Sequence, residues 1–427
     1  MDIVLIRHAT AQERSEATRD IARPLTREGR ERFTARLPRL REHLPPEGQI
    51  LIWSSPAVRA MQTAQILARE WKITNIAAFH WIYTGESAAF LRALSQAEDD
   101  ATYIVVGHEP HLGDWSEALN GARVSFRKGG AAAFRLVDEA GPEAELLWTH
   151  RAEHPEADSN SLVKKTLTAR DYKYAMIRLT HKMLFSFRKF LRHPYNPRAT
   201  HKLRVQTRRG RSVIALIKPL TDEKEYRGIQ EQLKGLARGF SRLRELDVLL
   251  AQCLEQMPQE NTLCGIVKQA REEELKQVYM DAQGSAIPDT LLALLTRFSS
   301  WDEKTLEEKV SRADYAAKRV RKWRKSAGKA MKKLDLNDFE AIHAQRIRFK
   351  KLRYVQDIFP ALTDGEDETR AALQEDLGLI CDTYVNAALL KELAGAYSTP
   401  EFQEESESFR RNMLDTRMKL TEKYQAD

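Results

Sequence analysis

The chain is poor in cysteine and has no long apolar run. Its 427 residues include three cysteines, which form neither a CxxC pair nor a metal-ligand spacing: Cys253, Cys264 and Cys381. A disulfide scaffold and a cysteine-based metal site are therefore excluded, and a reducing cytoplasm is favoured. No segment is long enough to span a bilayer, and the first residues (MDIVLIRHAT) lack the pattern of a signal peptide. We therefore expect a cytoplasmic protein without a membrane partner.

The positive charge is concentrated in the later part of the chain. Residues 1–150 contain 18 Lys and Arg against 20 Asp and Glu, which leaves 51 basic and 41 acidic residues in the rest. A basic surface of this kind attracts polyanions, but a solvated face of long helices is also often charged. The charge alone does not decide between these interpretations.

The first 150 residues alternate short apolar runs with helical patterns, which predicts an α/β domain. The predicted strands are Ile3–Ile6, Ile50–Trp53, Ile76–Phe79 and Tyr103–Val106, with antiparallel additions at Ala132–Val137 and Glu145–Trp148. Helices are expected to begin after Thr26, Ser55, Ser87 and Pro110. The polar residues 151–161 predict a linker, and residues 162–427 predict an all-α domain.

Basic and imidazole side chains follow three of the predicted strands. Arg7 and His8 follow the first strand, and His108 follows Tyr103–Val106. Ser55 follows Ile50–Trp53, and Arg59 lies in the helix after it. Because ligands sit at the carboxyl ends of strands in an open α/β sheet, we expect these side chains to meet at one edge.

This combination of side chains suits phosphoryl transfer. Arginines orient phosphoryl oxygens, a neutral imidazole can attack phosphorus in line, and a second histidine can donate to the phosphoryl group. Taken singly, Arg59 could be a solvated helix residue and His108 could cap a turn. Their joint placement favours the catalytic interpretation, and Ser55 is a further candidate contact to phosphate.

Four motifs carry a family resemblance: LIRHATA, RPLTREG, SSPAVRAMQTA and VVGHEPHLG, in this order. They resemble the histidine phosphatase superfamily, and most closely its small phosphohistidine phosphatase branch of the SixA type. The resemblance covers nearly all of residues 1–150 and implies a three-layer fold with a mostly parallel sheet and no metal or other cofactor. It implies that His8 forms a phosphohistidine, that Arg7, Arg59 and His108 complete the phosphate pocket, and that Arg23 approaches the substrate.

Two departures from the superfamily pattern concern the chemistry. Ala9 stands where the wider superfamily has glycine, which the small branch tolerates. Larger members carry an acid that protonates the leaving group, and Glu86 is the candidate here. Glu86 can equally be an acid favoured by the dipole in a first helical turn. A phosphohistidine has a good leaving group and can dispense with such an acid.

A helical motif occurs twice, 142 residues apart, as HKLRVQTRRGR and HAQRIRFKKLR. Helical spacing places four cationic or imidazole side chains of each copy on one stripe. These are His201, Arg204, Arg208 and Arg211 in the first copy, and His343, Arg346, Lys350 and Arg353 in the second. Arg209 and Lys351 fall beside the stripe and are assigned to the scaffold. Because like charges at these spacings repel, a bound polyanion would relieve the cost of the stripe.

The repeat continues beyond the two basic segments, since Leu233–Leu250 and Leu373–Leu390 follow them at matching distances. We therefore expect two related helical halves that enclose a cationic cavity. The segments HKLRVQTRRGRSVI, HAQRIRFKKLRYVQDIF and LRELDVLL resemble the CHAD domain, from about Leu162 to the 390s. The resemblance implies an all-α fold that binds inorganic polyphosphate. Glu245, Ser241 and Cys381 depart from the family pattern, and Arg244 either serves the ligand or pairs with Asp247.

Three functions remain open from the sequence. The first is a phosphatase for phosphohistidine or a related phosphoryl group, tethered to a polyphosphate-binding module. In that case a phosphorylated protein is a further expected partner, and polyphosphate granules are an expected location. Beside the two basic helices, the segment Lys318–Lys333 is a further, less specific candidate for binding the polyanion. The second function is a nucleic-acid-binding protein with an accessory phosphatase. Against it, the basic helices lack interleaved exposed aromatics. In the third, the phosphatase hydrolyses the bound polyphosphate.

Overall fold

The computed structural model describes residues 1–16, 18–45, 48–98, 101–136, 144–153, 167–218, 221–257, 261–302, 304, 315–362, 367–397 and 399–425. Its contacts divide the chain into two compact units. The first contains the β-sheet with its helices, together with Lys173–His181 and Leu295–Trp301, and the second contains most of the later helices. The predicted division into an α/β part followed by a helical part is confirmed.

Six strands form one mixed sheet in the first unit, in the order β3-β2-β4-β1-β5-β6. Their bounds are Asp2–Arg7 (β1), Ile50–Ser54 (β2), Ile76–Ala78 (β3), Thr102–Gly107 (β4), Ser125–Arg135 (β5) and Glu145–Glu153 (β6). The first four strands are parallel, whereas β5 runs antiparallel to β1 and β6 antiparallel to β5. All six predicted strands are present, and the two late ones are antiparallel as expected.

The last two strands are longer than the sequence predicts. β5 begins at Ser125 rather than Ala132, because the irregular segment RKGG interrupts the alternation that marks a strand. β6 continues to Glu153, so Arg151–Glu153 belong to the sheet and the predicted start of the linker at residue 151 is wrong. The rest of the predicted linker and Val137 lie outside the described residues.

Helices cover both faces of this sheet. Their bounds are Arg27–Thr34 (α1), Leu37–Glu42 (α2), Val58–Trp71 (α3), His80–Thr84 (α4), Ser87–Gln96 (α5) and His111–Asn120 (α6). On one face, Val4 and Ile6 of β1 share a buried cluster with Phe33 and Leu67 from α1 and α3. On the other face, α6 packs against β1 and β5. This is the three-layer arrangement, and it buries the middle of β1 from both sides.

The second unit is helical. Its helices are Ala169–Arg192 (α7), Pro197–Ile217 (α8), Glu223–Arg238 (α9), Ser241–Gln256 (α10), Thr262–Gln283 (α11), Ile287–Ser299 (α12), Tyr315–Met331 (α13), Phe339–Ile358 (α14), Asp367–Ala396 (α15) and Pro400–Gln425 (α16). Segments of α7 and α12 are grouped with the first unit. One buried cluster joins α10, α11, α15 and α16, and it includes Cys253, Leu390 and Phe402. No helix in the described ranges combines the length and apolar character needed to cross a membrane.

The two copies of the repeat are folded alike but not identically. The first basic helix is α8 and the second basic helix is α14, and each packs against a helix of the following repeat segment. Leu233–Leu250 is divided between α9 and α10 by Gly239 and Phe240, whereas Leu373–Leu390 lies within the single helix α15. Phe240 is buried and contacts Phe187 and Phe190 edge-on, so the break inserts an aromatic side chain into the core.

Candidate functional site

The three strand ends bring their side chains together in the first unit. His8 follows β1, Ser55 follows β2 and His108 follows β4, and these strands are neighbours in the sheet. The ring centroids of His8 and His108 are 5.1 Å apart. Arg59, from the first turn of α3, reaches the same place and is only 4% exposed. We call His8, Arg7, Arg59 and His108 the histidine cluster.

The hydrogen bonds of His8 fix its tautomer. Its Nδ1 lies 2.7 Å from the carbonyl oxygen of Ala9, which can only accept a hydrogen bond, so Nδ1 carries the proton. Nε2 is therefore unprotonated, and its lone pair accepts a hydrogen bond from Arg59 Nε at 3.2 Å. Thr63 Oγ1 accepts from the Ala9 amide at 3.1 Å and holds this turn in place. An unprotonated Nε2 beside a guanidinium is the arrangement needed for attack on a phosphoryl group.

Both imidazoles are uncharged at neutral pH. Burial, followed by the positive charges of Arg59 and Arg7, lowers the pKa of His8 to about 4, even though the bond to Ala9 opposes the change. Burial and the proximity of His8 and Arg59 lower the pKa of His108 to about 3. A neutral His8 is the nucleophilic form, so the surroundings keep it reactive down to mildly acidic pH.

His108 is held by Ser55. The Nε2 atom of His108 lies 2.8 Å from Ser55 Oγ, and this hydroxyl also accepts from the amide of Ala57. The Nδ1 atom of His108 is buried without a partner among the described residues. Ser55 is itself fully buried, so its described contacts orient His108. From the sequence, Ser55 was predicted to contact phosphate.

Arg7 is partly buried at the end of β1. Its Nη1 donates to the carbonyl oxygen of Phe126 at 2.7 Å, which anchors the guanidinium against β5. Its Nε is buried and has no partner among the described residues. The positive charge of Arg7 reaches His8, whose pKa it helps to lower. Arg7 therefore supplies a fixed positive charge beside His8.

Asp20 connects three arginines at this site, and the sequence did not single it out. Its carboxylate accepts from Arg59 Nη2 at 2.9 Å, from Arg23 Nη2 at 2.7 Å and from Arg14 Nε at 3.1 Å. Although burial alone would raise it, the hydrogen bonds from Arg23 and the charge of Arg59 lower the pKa of Asp20 to about 2. Asp20 lies in an irregular segment without periodicity, where its only signal was an acid three residues before Arg23.

Two further candidates, Arg23 and Glu86, differ in their placement. Arg23 is joined to the cluster through Asp20, and its charge contributes to the lowered pKa of His8. Glu86 is the residue before α5, is exposed, and accepts a hydrogen bond from Thr84 Oγ1 at 2.7 Å. Among the described contacts none joins Glu86 to the histidine cluster. Tyr83, in contrast, contacts the cluster: its ring lies edge-on to that of His108, with the ring centroids 5.8 Å apart.

In the second unit, the two basic helices share a cavity of about 440 Å³, which we call the cationic groove. Both motif copies contribute to its walls, and α9 closes one side. The cationic or imidazole side chains that line it are Arg208, Arg211, His343, Arg346, Lys350 and Lys351. Two halves of the repeat thus converge on one cavity.

The first basic helix contributes two arginines directly. Arg208 lines the groove, as does Arg211, whose Nε donates to Gln230 Oε1 at 3.1 Å. Arg204 lies behind them and donates from Nη1 to Ala237 O and Ser241 Oγ, each at 2.7 Å. Although His201 is exposed as a whole residue, desolvation of its ring and the charges of Arg244 and Lys350 lower its pKa to about 4.

The second basic helix contributes a lysine with an unusual environment. Burial, then the charges of Arg346 and Arg208, lowers the pKa of Lys350 to about 7. The pKa of His343 is also lowered, first by burial and then by Arg346. Arg353 is exposed and does not line the groove, and its guanidinium carbon lies 5.8 Å from the ring centroid of Tyr354.

Lys351 and Arg209 were both assigned to the scaffold. The assignment of Lys351 is wrong, since it lines the groove with its Nζ 3.6 Å from the ring centroid of Trp323. Arg209 pairs with Asp357 at 3.0 Å, as a scaffold residue would. Asp247 pairs with Arg271 at 2.7 Å. The charge of Arg244 instead helps to lower the pKa of His201. Of the two alternatives for Arg244, contact with the ligand is therefore favoured over pairing with Asp247.

The arginines at equivalent repeat positions are supported by equivalent residues. Arg346 lies 3.4 Å from the carboxylate of Asp382, and Arg204 interacts electrostatically with Glu245, the matching residue of the first half. Ser241, which accepts from Arg204, corresponds to Gly378, whose missing Cβ would lie 3.6 Å from Arg346 Nη2. The serine thus supplies an acceptor that the glycine cannot.

Within the described ranges, no group of three or more His, Cys, Asp or Glu side chains is arranged to hold a metal ion. The three cysteines are buried and unpaired.

The family comparison decides the identity of the helical part. The model of the CHAD domain matches residues 175–391, which is just over half of the chain. The chain belongs to the CHAD domain family. In the N-terminal part, residues 3–79 match the histidine phosphatase superfamily (branch 1). This CHAD protein therefore combines a histidine-phosphatase-like domain with a helical CHAD domain.

Several known proteins are similar to parts of the chain. An uncharacterized protein of Picosynechococcus sp. is 35% identical over 145 residues, covering 32% of this chain and 85% of the relative. The structure of the protein histidine phosphatase SixA complexed with tungstate aligns with 23% identity and a TM-score of 0.31, over 35% of this chain and 97% of that one. The CHAD domain from Ricinus communis aligns with 21% identity and a TM-score of 0.49, over 60% of this chain and 90% of that one.

Proposed function

We propose that the CHAD protein is a phosphatase that works through a phosphohistidine on His8, and that its helical domain binds inorganic polyphosphate. The substrate we propose is phosphohistidine or a related phosphoryl group, with a phosphorylated protein as its carrier. The observation that carries the catalytic proposal is the tautomer of His8. Its Nδ1 proton is held by Ala9, and its Nε2 lone pair points toward the Arg59 guanidinium.

The catalytic step follows from these contacts. His8 Nε2 attacks phosphorus, the bond to the leaving nitrogen or oxygen breaks, and the phosphoryl group is transferred to the ring. Arg7 and Arg59 offset the negative charge of the phosphoryl oxygens. A water molecule then attacks the phosphohistidine, which releases inorganic phosphate and restores His8. His108 lies on the same side, where its ring can donate to the phosphoryl oxygens or to the leaving group.

A trapping experiment tests this step. The wild-type protein is mixed with phosphoramidate, quenched in alkali to preserve phosphohistidine, and digested for mass spectrometry. We expect one phosphate on the peptide that contains His8 and none in His8→Ala. Turnover without any phosphorylated His8 peptide in the wild type would rule out a covalent intermediate.

The groove supports the polyphosphate proposal. Cationic side chains from two helices line one cavity, and the neighbouring acids, Asp382 and Glu245, interact with Arg346 and Arg204. An anion with many closely spaced charges gains from every cation, while releasing counterions. Arginine forks can hold successive phosphates along such a chain.

Nucleic acid is the competing ligand, and the aromatic residues near the groove argue against it. Base stacking needs free ring faces. Lys218 lies 4.7 Å from the ring centroid of Tyr226, Lys351 covers Trp323, and Tyr354 is buried. Competition between long-chain polyphosphate and single-stranded DNA at moderate salt tests the choice. Preferential binding of DNA would overturn our proposal for the groove.

Hydrolysis of the bound polyphosphate is a separate question. Release of inorganic phosphate from long-chain polyphosphate by wild type, but not by His8→Ala, would make the polymer a substrate. Release by neither protein leaves the polymer as a ligand only. Polyphosphate granules in the cytoplasm are the location that our proposal predicts.

A further inference from the structure

A second cavity in the first unit lies beside the residues that directly follow His8. Its volume is about 260 Å³, and Ala9 and Thr10 form part of its wall. Four cationic side chains surround it: Arg32, Arg36, Lys128 and Arg151. Neither a histidine nor Arg59 lines it, so it is distinct from the histidine cluster.

The cations around this cavity are poorly compensated. Only Arg32 has an acidic partner, Glu28. In the part of the chain that the structure describes, no acid lies within ion-pair distance of Arg36, Lys128 or Arg151. The pKa of Arg36 is lowered by burial and then by the charges of Arg151 and Arg32, so these groups repel one another. An anion in the cavity would relieve that repulsion.

An irregular stretch of the sheet builds the cavity wall. Phe126 pairs with Ala152 and Ala131 pairs with His150, so four residues of β5 lie opposite Arg151 alone. Arg151 has a φ of 50°, which is uncommon for a residue with a Cβ. A Cβ on Gly130 would lie 2.3 Å from the carbonyl oxygen of Arg151, so only glycine allows this approach. The bulge thereby turns two cationic residues, Lys128 and Arg151, toward one cavity.

The bulge is also attached to the nucleophile. The amide of Gly129 donates to the carbonyl oxygen of His8 at 3.1 Å. Gly129 has a φ of 71°, and its neighbour in sequence is Lys128. The cavity wall and the histidine therefore share a backbone hydrogen bond.

We propose that this cavity is a second oxyanion site, which binds a phosphate group without transferring it. Its volume is below the roughly 300 Å³ at which pockets for drug-sized ligands begin, so a phosphate or pyrophosphate suits it better than a nucleotide. Arginine guanidiniums and a lysine ammonium are the donors expected for such an anion. Two sources share this chemistry, namely free inorganic phosphate or pyrophosphate, and the end of a longer phosphate chain.

Arginine modification read out residue by residue tests the proposal on the full chain. Phenylglyoxal labels arginines, and peptide mass spectrometry gives the labelling rate at each position with and without pyrophosphate, at ionic strength held constant with potassium chloride. We expect pyrophosphate to slow labelling of Arg36 and Arg151 by about ten-fold, as direct contact with a charged acceptor would. The exposed Arg92 on α5 should be labelled at an unchanged rate. Equal rates at Arg36 and Arg151 with and without every anion tested would overturn the proposal.

Variants show whether the protection belongs to this cavity. Lys128→Gln changes an exposed side chain, so the fold should be kept, and it should remove at least half of the protection of Arg151. Arg36→Gln should do the same, whereas Arg39→Gln, on α2 and outside the cavity, should not. Full protection of Arg151 in both cavity variants would contradict the proposal.

Three anions distinguish the two sources. Protection by orthophosphate and pyrophosphate assigns the site to free anions. Protection by long-chain polyphosphate alone assigns it to a chain end. The test does not depend on catalysis, so it remains valid if His8 proves not to be phosphorylated.

Discussion

The histidine cluster and the cationic groove both collect positive charge, but they hold it differently. In the cluster, Asp20 connects Arg59, Arg23 and Arg14, and two neutral imidazoles are buried beside them. In the groove, the walls carry cations from two helices, and among them Arg346 has an acidic partner, Asp382. This difference is what our proposal of one phosphoryl group in the cluster and a polyanion in the groove would require. The way in which acidic side chains pair with the arginines thus distinguishes the two sites as well as the number of arginines does.

Replacing His8 is the sharpest way to separate the two sites. His8→Ala removes the only ring nitrogen in the cluster whose lone pair faces Arg59, so turnover of an aryl phosphate or phosphoramidate should fall by about 10³-fold or more. The dissociation constant for long-chain polyphosphate should stay the same. Steady-state kinetics and a binding titration measure the two effects, with His80→Ala on α4 as control. Residual activity near the wild-type level would exclude His8 as nucleophile.

Neighbouring arginines on the first basic helix test the groove. Arg208 lines the groove, whereas Arg209 pairs with Asp357. Arg208→Ala should weaken polyphosphate binding by about ten-fold, since it removes a charge-assisted contact. It should also make binding less sensitive to salt, because fewer counterions are released.

Arg209→Ala removes the same charge from the same helix and is the matched control. We expect it to change the affinity by less than about two-fold, as for a group outside the contact. Equal losses in both variants would mean that net charge, and not the groove, governs binding. Titrations over a range of salt concentrations measure both quantities.

Lys350 should make polyphosphate binding by the groove depend on pH near neutrality. Its pKa of about 7 is below the usual value for lysine, so its positive charge is lost as the pH rises through neutrality. A polyanion binds the charged form, and affinity should therefore fall several-fold between about pH 6 and pH 8.5. Lys350→Arg stays charged throughout and should reduce this dependence. The remainder is expected from Lys351, which also lines the groove and whose pKa is lowered by burial to about 8. A pH profile unchanged by the substitution would assign the effect to another group.

Removing the charge of Asp20 should have the smallest effect. Asp20→Asn keeps a polar side chain but loosens Arg23 and Arg59, so kcat/KM for a phosphoryl substrate should fall by a few-fold. Because the pKa of Asp20 is about 2, below its usual value, its pairing is present at neutral pH and is lost only in strong acid. Glu31→Gln removes an exposed pair with Arg27 and serves as control. An unchanged kcat/KM in Asp20→Asn would mean that the arginines are positioned without it.

The parts of the fold with regular periodicity could be predicted from the sequence. Strand ends place His8, Ser55 and His108 correctly because parallel neighbours share an edge. The repeat predicts that Arg208 and Arg346 share a cavity, because equal helical offsets give equal faces. In both cases a local pattern fixes the direction of a side chain.

Features that depend on irregular backbone could not be predicted. Asp20 lies in a 3₁₀ turn, and the segment RKGG forms a bulge, so neither follows a period of 2 or 3.6. Helical spacing also fails for long side chains. Arg353 has the right offset but turns over Tyr354, while Lys351 extends from beside the stripe to Trp323.

The carbonyl of Ala9 has a consequence for the product of the phosphoryl transfer that we propose. Because this carbonyl accepts a hydrogen bond from the protonated Nδ1, only the distal ring nitrogen of His8, Nε2, can form a bond to phosphorus. The modified side chain is then the tele isomer, and an antibody specific for the pros isomer should not recognise it. Isomer-specific detection would thus read the orientation of a single imidazole ring in solution.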